Sequence, residues 1–154
     1  MARLLMPLIG RDLTPAQVAD LPEPSRKRIE RWQPIAAAGL PYGLDMWDGY
    51  PADRQRLYAI LKEARANAVV VSGDSHAFWA NELYDADTGG KRVAVEFGTA
   101  GITAPGPGLS IAPLPLGEAF AKHNREVLFN NQTSNGFLLL TLAIVRLVRV
   151  TQDQ

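Results

Sequence analysis

Two short stretches bring together side chains that can do chemistry. The first is Gly73-Asp74-Ser75-His76. It follows Ala68-Val69-Val70-Val71-Ser72, a β-branched run without alternation that reads as a strand buried on both faces. Turns at strand ends are where a rigid sheet can present catalytic groups, and the glycine permits a sharp bend. Asp74 and His76, two residues apart, place a carboxylate and an imidazole within reach of one centre. That pair suits metal ligation or acid/base work. The local alternative is that Asp74 caps a following helix and His76 is incidental. The second stretch is Tyr42-Gly43-Leu44-Asp45-Met46-Trp47-Asp48-Gly49-Tyr50-Pro51. Its carboxylates and aromatics, just ahead of a helix, suit a pocket rim. They equally suit a loop anchored by Trp47, with Asp48 helping to cap that helix.

Other motifs carry less. Asp85, Asp87, Gly90 and Glu96 match positions 1, 3, 6 and 12 of a calcium loop. Gly89 at position 5, Arg92 at position 8 and an alternating tail argue instead for a hairpin turn at 85–90. His123 shares an apolar helical face with Leu116, Phe120 and Val127, as a core or interface histidine would. The glycines of Gly98–Gly108 are followed by no Lys-Ser/Thr pair, so they are no phosphate loop. Residues 73–77 read GDSHA, not G-x-S-x-G, and support no serine triad.

The elements that would position these groups follow from periodicity. Thr14-Pro15-Ala16-Gln17 has the form of a capping box with proline at the first helical position, predicting a short helix to about Leu21. Ser25–Trp32 can hold another with a basic face, within an otherwise irregular, Pro-rich lead-in over residues 1–40. Leu57, Ile60, Leu61 and Ala64 form one apolar stripe on a helix that begins at Pro51 and stops near Asn67. Residues 91–97 alternate, with Val93, Val95 and Phe97 on one face and Glu96 on the other, predicting a half-buried strand. Asn130–Gly136 reads as a turn-rich link, and Phe137–Leu142 and Ile144–Val150 as two final strands. The fold class is mixed α/β.

Composition narrows the functions. The chain has 154 residues, 47% hydrophobic and 21% charged, ordinary for a soluble domain. Sixteen basic and sixteen acidic residues balance to zero net charge, which gives no electrostatic footprint for nucleic acid. There is no cysteine, so disulfides, thiolate metal sites and cysteine nucleophiles are excluded. His76 and His123 are the only histidines, so a metal site must lean on oxygen ligands or on ligands from outside the chain. The longest apolar run, 137–150, is interrupted by Arg146 and Arg149 and is too short to span a bilayer. The N-terminus has no signal-peptide form.

Four blocks in order carry a resemblance: LDMWDGYPADRQRL, AVVVSGDSHAFWANEL, VAVEFGTAGITAPG and SNGFLLLTL. Together, over about Leu40 to Leu142, they resemble the C-terminal part of the PhoD-like alkaline phosphatases (alkaline phosphatase D), within the calcineurin-like metallophosphatase group. The resemblance implies a two-sheet sandwich flanked by helices and a phosphoric ester hydrolase acting through metal-bound water. It implies divalent or trivalent ions, calcium and iron foremost, and a phosphate ester substrate. Asp74 and His76 match that group's last ligand motif, so the resemblance makes them metal-site and catalytic residues. Asp45, Trp47, Asp48 and Tyr50 would belong to a neighbouring pocket wall.

The group's earlier motifs, Asp-x-His, Gly-Asp-x-x-Asp and Gly-Asn-His-Asp/Glu, do not occur before residue 70. The tail AIVRLVRV also departs from the family's usual polar turn. The expectation is therefore a single partial domain over 1–154, the C-terminal portion of a phosphatase, weak or inactive alone. Full-length relatives are often exported. Two other classes stay open: a non-catalytic assembly module that pairs with a separate N-terminal half or with itself, and a self-contained hydrolase using Asp74 and His76 without metal.

Overall fold

A computed structural model describes residues 13–41, 43–85 and 90–141. Helix α1 spans Pro15–Ala19 and opens on the expected capping box: Gln17 N donates to Thr14 Oγ1 while Thr14 N donates to Gln17 Oε1. Helix α2 spans Glu23–Ala37, longer than the sequence suggested. Pro24 sits in its first turn, where no amide partner is needed, and Pro34 falls in its last turns, so neither breaks it. A 3-10 turn over Trp47–Gly49 leads into α3, Pro51–Glu63. Strands β1 (Ala68–Ser72), β2 (Phe78–Asp85), β3 (Lys91–Gly98) and β4 (Val127–Asn131) follow, with a second 3-10 turn at Pro107–Ile111 and α4 at Leu116–His123 between β3 and β4.

The strands form one mixed sheet in the order β1-β3-β2-β4. β1 runs parallel to β3, while β2 is antiparallel to both β3 and β4. The β2–β3 hairpin agrees with the turn expected at 85–90, where Gly90 N donates to Asp85 O; residues 86–89 lie outside the described set. Register puts Ser72, Gly98 and Trp79 in one row and Val70, Glu96 and Asn81 in the next. This face is covered by α3 and α4. Its core is Tyr58, Trp79, Leu83, Ala94, Ile111, Leu116, Phe120 and Val127, with Trp79 edge-on to Phe120 at 5.3 Å. Helix α4 lies so close to β4 that a Cβ on Gly117 would come within 2.3 Å of Asn130 O.

Several expectations are corrected. β1 is an edge strand, not one buried on both faces: Val69 and Val71 are 48% and 55% exposed, because among the described residues nothing covers their side of the sheet. The alternation of β3 is present with its faces reversed from Ala94 onward, while Val93 is buried as expected. Glu96 points to the covered face with Ala94 and Gly98, and Val95 and Phe97 share the more open face with Val69 and Val71. Hydrogen-bond partners inside the fold, not solvent, receive the Glu96 charge. The buried face of α3 runs through Tyr58, with Leu57 and Leu61 partly covered, while Ile60 and Ala64 are exposed. No helix follows Asp74; the turn leads into β2. Val127 is buried in a strand, not on the helix that ends at His123. Residues 137–141 form no strand, and 142–154 lie outside the described residues. No described helix is long and apolar enough to cross a membrane.

Candidate functional site

The turn joining β1 to β2 is tightly bent. Ser75 N donates to Gly73 O at 2.8 Å, and Asp74 and His76 both adopt left-handed backbone, with φ of 66° and 55°. Non-glycine residues rarely hold such angles unless surrounding structure imposes them. Here two strands impose them. Thr99 N donates to Ser72 O at the root of the turn, and the Trp79 indole donates to Ser75 Oγ at its middle, at 2.9 Å in each case. Gly98 makes room for that indole, since a Cβ there would lie 2.7 Å from Trp79 Cδ1.

A cleft of about 490 Å³ opens beside the turn. One wall is the segment Gly43, Asp45, Met46 and Trp47; the other is the end of β1 with Asp74 and Ser75; Trp79, Asn81 and Glu96 also line it. The structure thus brings Asp74 together with Asp45 and Trp47 on one surface. His76 is exposed in the same turn but is not on the cleft lining. Tyr50 lines an adjoining hollow of about 380 Å³ with Asp45, Met46, Trp47 and Asp53. Asp48 lies apart from both, its side chain buried and bonded to Arg54 at 2.6 Å. Tyr50, not Asp48, occupies the cap position of α3.

Sequence reasoning missed the polar floor. Glu96 is 3% exposed and accepts from Ser72 Oγ at 3.0 Å and from Asn81 Nδ2 at 3.1 Å. Asn81 is 4% exposed, and its Oδ1 is buried without a hydrogen-bond partner among the described residues. The readable signal was there: Asn81 follows Trp79 and precedes Leu83 at strand period, so it shares their inward face. Below the floor, burial first and the Glu126 carboxylate second push the Tyr58 phenol far above its ordinary 10.0, with Glu96 and Asp48 adding and Arg54 opposing.

The lining is rich in acceptors. Asp45, Asp74 and Glu96 are carboxylates, and no Lys or Arg is among the described lining residues. Such a surface repels a bare phosphate group and attracts a hard cation, which oxygen donors suit. In type the donors fit a metal; in number they fall short, since among the described residues no three His, Cys, Asp or Glu side chains converge as a metal site.

Comparison with known proteins agrees with the order of blocks in the sequence. Alkaline phosphatase D of Bacillus subtilis (strain 168) is 41% identical over 81 residues, which are 51% of this chain and 14% of that protein. A solved structure titled "Structure of PhoD" superposes with a TM-score of 0.50 at 32% identity, covering 64% of this chain and 19% of the other. The chain therefore spans under a fifth of the length of either. The family model for PhoD-like phosphatases matches residues 7–148, nearly the whole sequence, and the chain belongs to that family.

Proposed function

We propose that this chain supplies one wall of a metal-assisted phosphoric ester hydrolase site, with Asp74 and His76 as its metal-holding residues. The observation that carries the reading is the strained turn itself. It holds a carboxylate and an imidazole at the end of a β-strand, beside a cleft lined by acceptors with no Lys or Arg among the described lining residues. A bound metal would polarise a phosphoryl oxygen and lower the pKa of its water. The chain's own residues have simpler tasks. Asp74 and His76 would hold the ion, calcium or iron by the family resemblance. Asp45 and Trp47 would form the facing wall, and Tyr50 in the adjoining hollow would touch the alcohol part of the ester. Asp48 supports that wall through Arg54 and does not reach substrate. Because too few ligands converge, the chain alone turns over phosphomonoesters and phosphodiesters weakly or not at all.

The test is to titrate the purified chain with Mn²⁺ and Ca²⁺ by calorimetry, and to assay it on p-nitrophenyl phosphate and bis-p-nitrophenyl phosphate. Weak metal binding lost in Asp74→Ala, with little turnover, is expected. Robust turnover lost in Asp74→Ala would overturn the dependence on further ligands. Wild-type binding unchanged by Asp74→Ala and His76→Ala would overturn the metal assignment.

A second reading, an assembly module, is favoured by the open edge of β1 and its exposed Val69 and Val71. It is compatible with the first, because an incomplete ligand set is one that a partner chain completes. The partner would be a separate N-terminal half or a second copy.

A further inference from the structure

The carboxylate at the floor of the cleft has a further part to play. Glu96 is almost fully buried at the centre of the sheet, on the strand that lies between β1 and β2. Its two carboxylate oxygens are shared between those neighbours: Oε1 accepts from Ser72 of β1, and Oε2 accepts from Asn81 of β2. Ser72 is the last residue of β1, two positions before Asp74. Even a hydrogen-bonded or paired buried carboxylate gains little over an apolar residue of the same size, so core stability alone does not account for it. The same contact fixes the Asn81 carboxamide, because its NH₂ must face the carboxylate. The oxygen is then left without a partner among the described residues, a second unfavourable feature.

We propose that Glu96 is a positioning residue for the metal-holding turn. It ties Ser72, the last residue of β1, to Asn81, the fourth residue of β2, across the strands between which the turn is strung, and so sets where Asp74 and His76 stand. This rests on the metal reading of that turn given above. The clamp acts at the root of the turn, and the bond from Trp79 to Ser75 acts at its middle. Together they hold the two left-handed residues in place; with the root released, the turn relaxes towards ordinary backbone and Asp74 and His76 move. The role matches that of the outer partners that orient metal ligands elsewhere.

The test uses three variants of the whole chain. Glu96→Gln removes the charge and, with Asn81 kept in its present orientation, sets an amide NH₂ against that of Asn81. The double variant Glu96→Gln with Asn81→Asp reverses donor and acceptor across the pair and restores both the bond and the charge. Ser72→Ala removes only the bond to β1 and keeps the test alive should Glu96→Gln fail to fold. Two readouts are taken at one fixed pH: the imidazole resonances of His76 with the amide exchange of Ser75, and the affinity for Mn²⁺ read from broadening of those resonances. Glu96→Gln and Ser72→Ala should shift His76, speed exchange at Ser75 and weaken Mn²⁺ about tenfold or more. The double variant should recover both. A lower melting temperature with His76, Ser75 and Mn²⁺ affinity unchanged would overturn the proposal, as would a double variant that folds and recovers neither. If Mn²⁺ broadens nothing in the wild-type chain, the metal reading fails, while the His76 and Ser75 measurements still decide the clamp.

Discussion

At the residue scale, His76 is held at φ 55° with an exposed side chain, so it gives little packing in return for its backbone strain. Left-handed backbone is unfavourable for an L-residue by roughly 1–2 kcal/mol, and glycine escapes most of that. His76→Gly should therefore raise stability by up to about 1 kcal/mol in urea denaturation while abolishing metal binding; equal or lower stability would show that the turn is not strained. Tyr58 makes a different prediction. Burial, with the Glu126 charge second, raises its folded pKa above the ordinary 10.0. The folded state thus keeps a proton that the unfolded chain releases, so this contribution is complete below 10 and is lost as pH rises beyond it. The stability advantage of wild type over Tyr58→Phe should shrink above pH 10 by up to about 1 kcal/mol per pH unit. A difference that stays constant from neutral to strongly alkaline pH would contradict it. The contrast with Glu96 marks what single residues reveal. The turn that carries Asp74 and His76 was legible because a glycine turn after a β-branched run is a local signal. Glu96 was not, because a charged residue in an alternating strand reads as solvent-facing until its partners across two strands are known.

At the element scale, the Asp48–Arg54 ion pair fastens the loop ahead of α3 to that helix. Asp48 and Arg54 have side chains 4% and 13% exposed and meet at 2.6 Å, so the loop wall carrying Asp45 and Trp47 is tied to a fixed helix. Removing one partner leaves the other charged in a buried setting. Arg54→Ala should lose about 3 kcal/mol in denaturant titration, and Asp48→Asn distinctly less, since asparagine still accepts a hydrogen bond. Equal small losses would mean that solvent reaches the pair. The elements themselves were unevenly legible. α1 was readable from its cap, and α3 from proline at its start and its 3.6-residue period, although Tyr58 rather than Ile60 faces inward. β1 and β3 were readable from β-branched content. β2 and β4 were hidden because polar residues fill their inward positions: Asn81 and Asp85 in β2, Asn130 in β4. Each has a partner that only the tertiary fold supplies, such as Lys62 for Asp85 and Phe78 O for the Asn130 amide. Those residues depress any pattern of hydrophobic alternation.

At the scale of the whole molecule, the sheet is covered on one face among the described residues, and β1 and β4 are its two edges. β1 is short and flat in sequence, with no charge or proline to blunt its edge, and it carries two exposed valines. Natural proteins protect such edges because free backbone groups beside apolar side chains recruit further strands. Net charge offers no counterweight, since basic and acidic residues balance at sixteen each. The exposed Ile102, Phe137 and Leu139 add apolar surface beyond the sheet. On the assembly reading proposed above, a partner would cover this apolar face. The purified chain should accordingly self-associate with rising concentration, and Val69→Lys with Val71→Lys should return it to monomer without unfolding it. Both side chains are half exposed, so the substitutions bury no charge. Sedimentation velocity over a range of concentrations, with circular dichroism of both forms, checks this. A wild-type chain that stays monomeric and melts cooperatively at every concentration would show that the uncovered face needs no partner, and would remove the ground for reading this chain as one wall of a shared site.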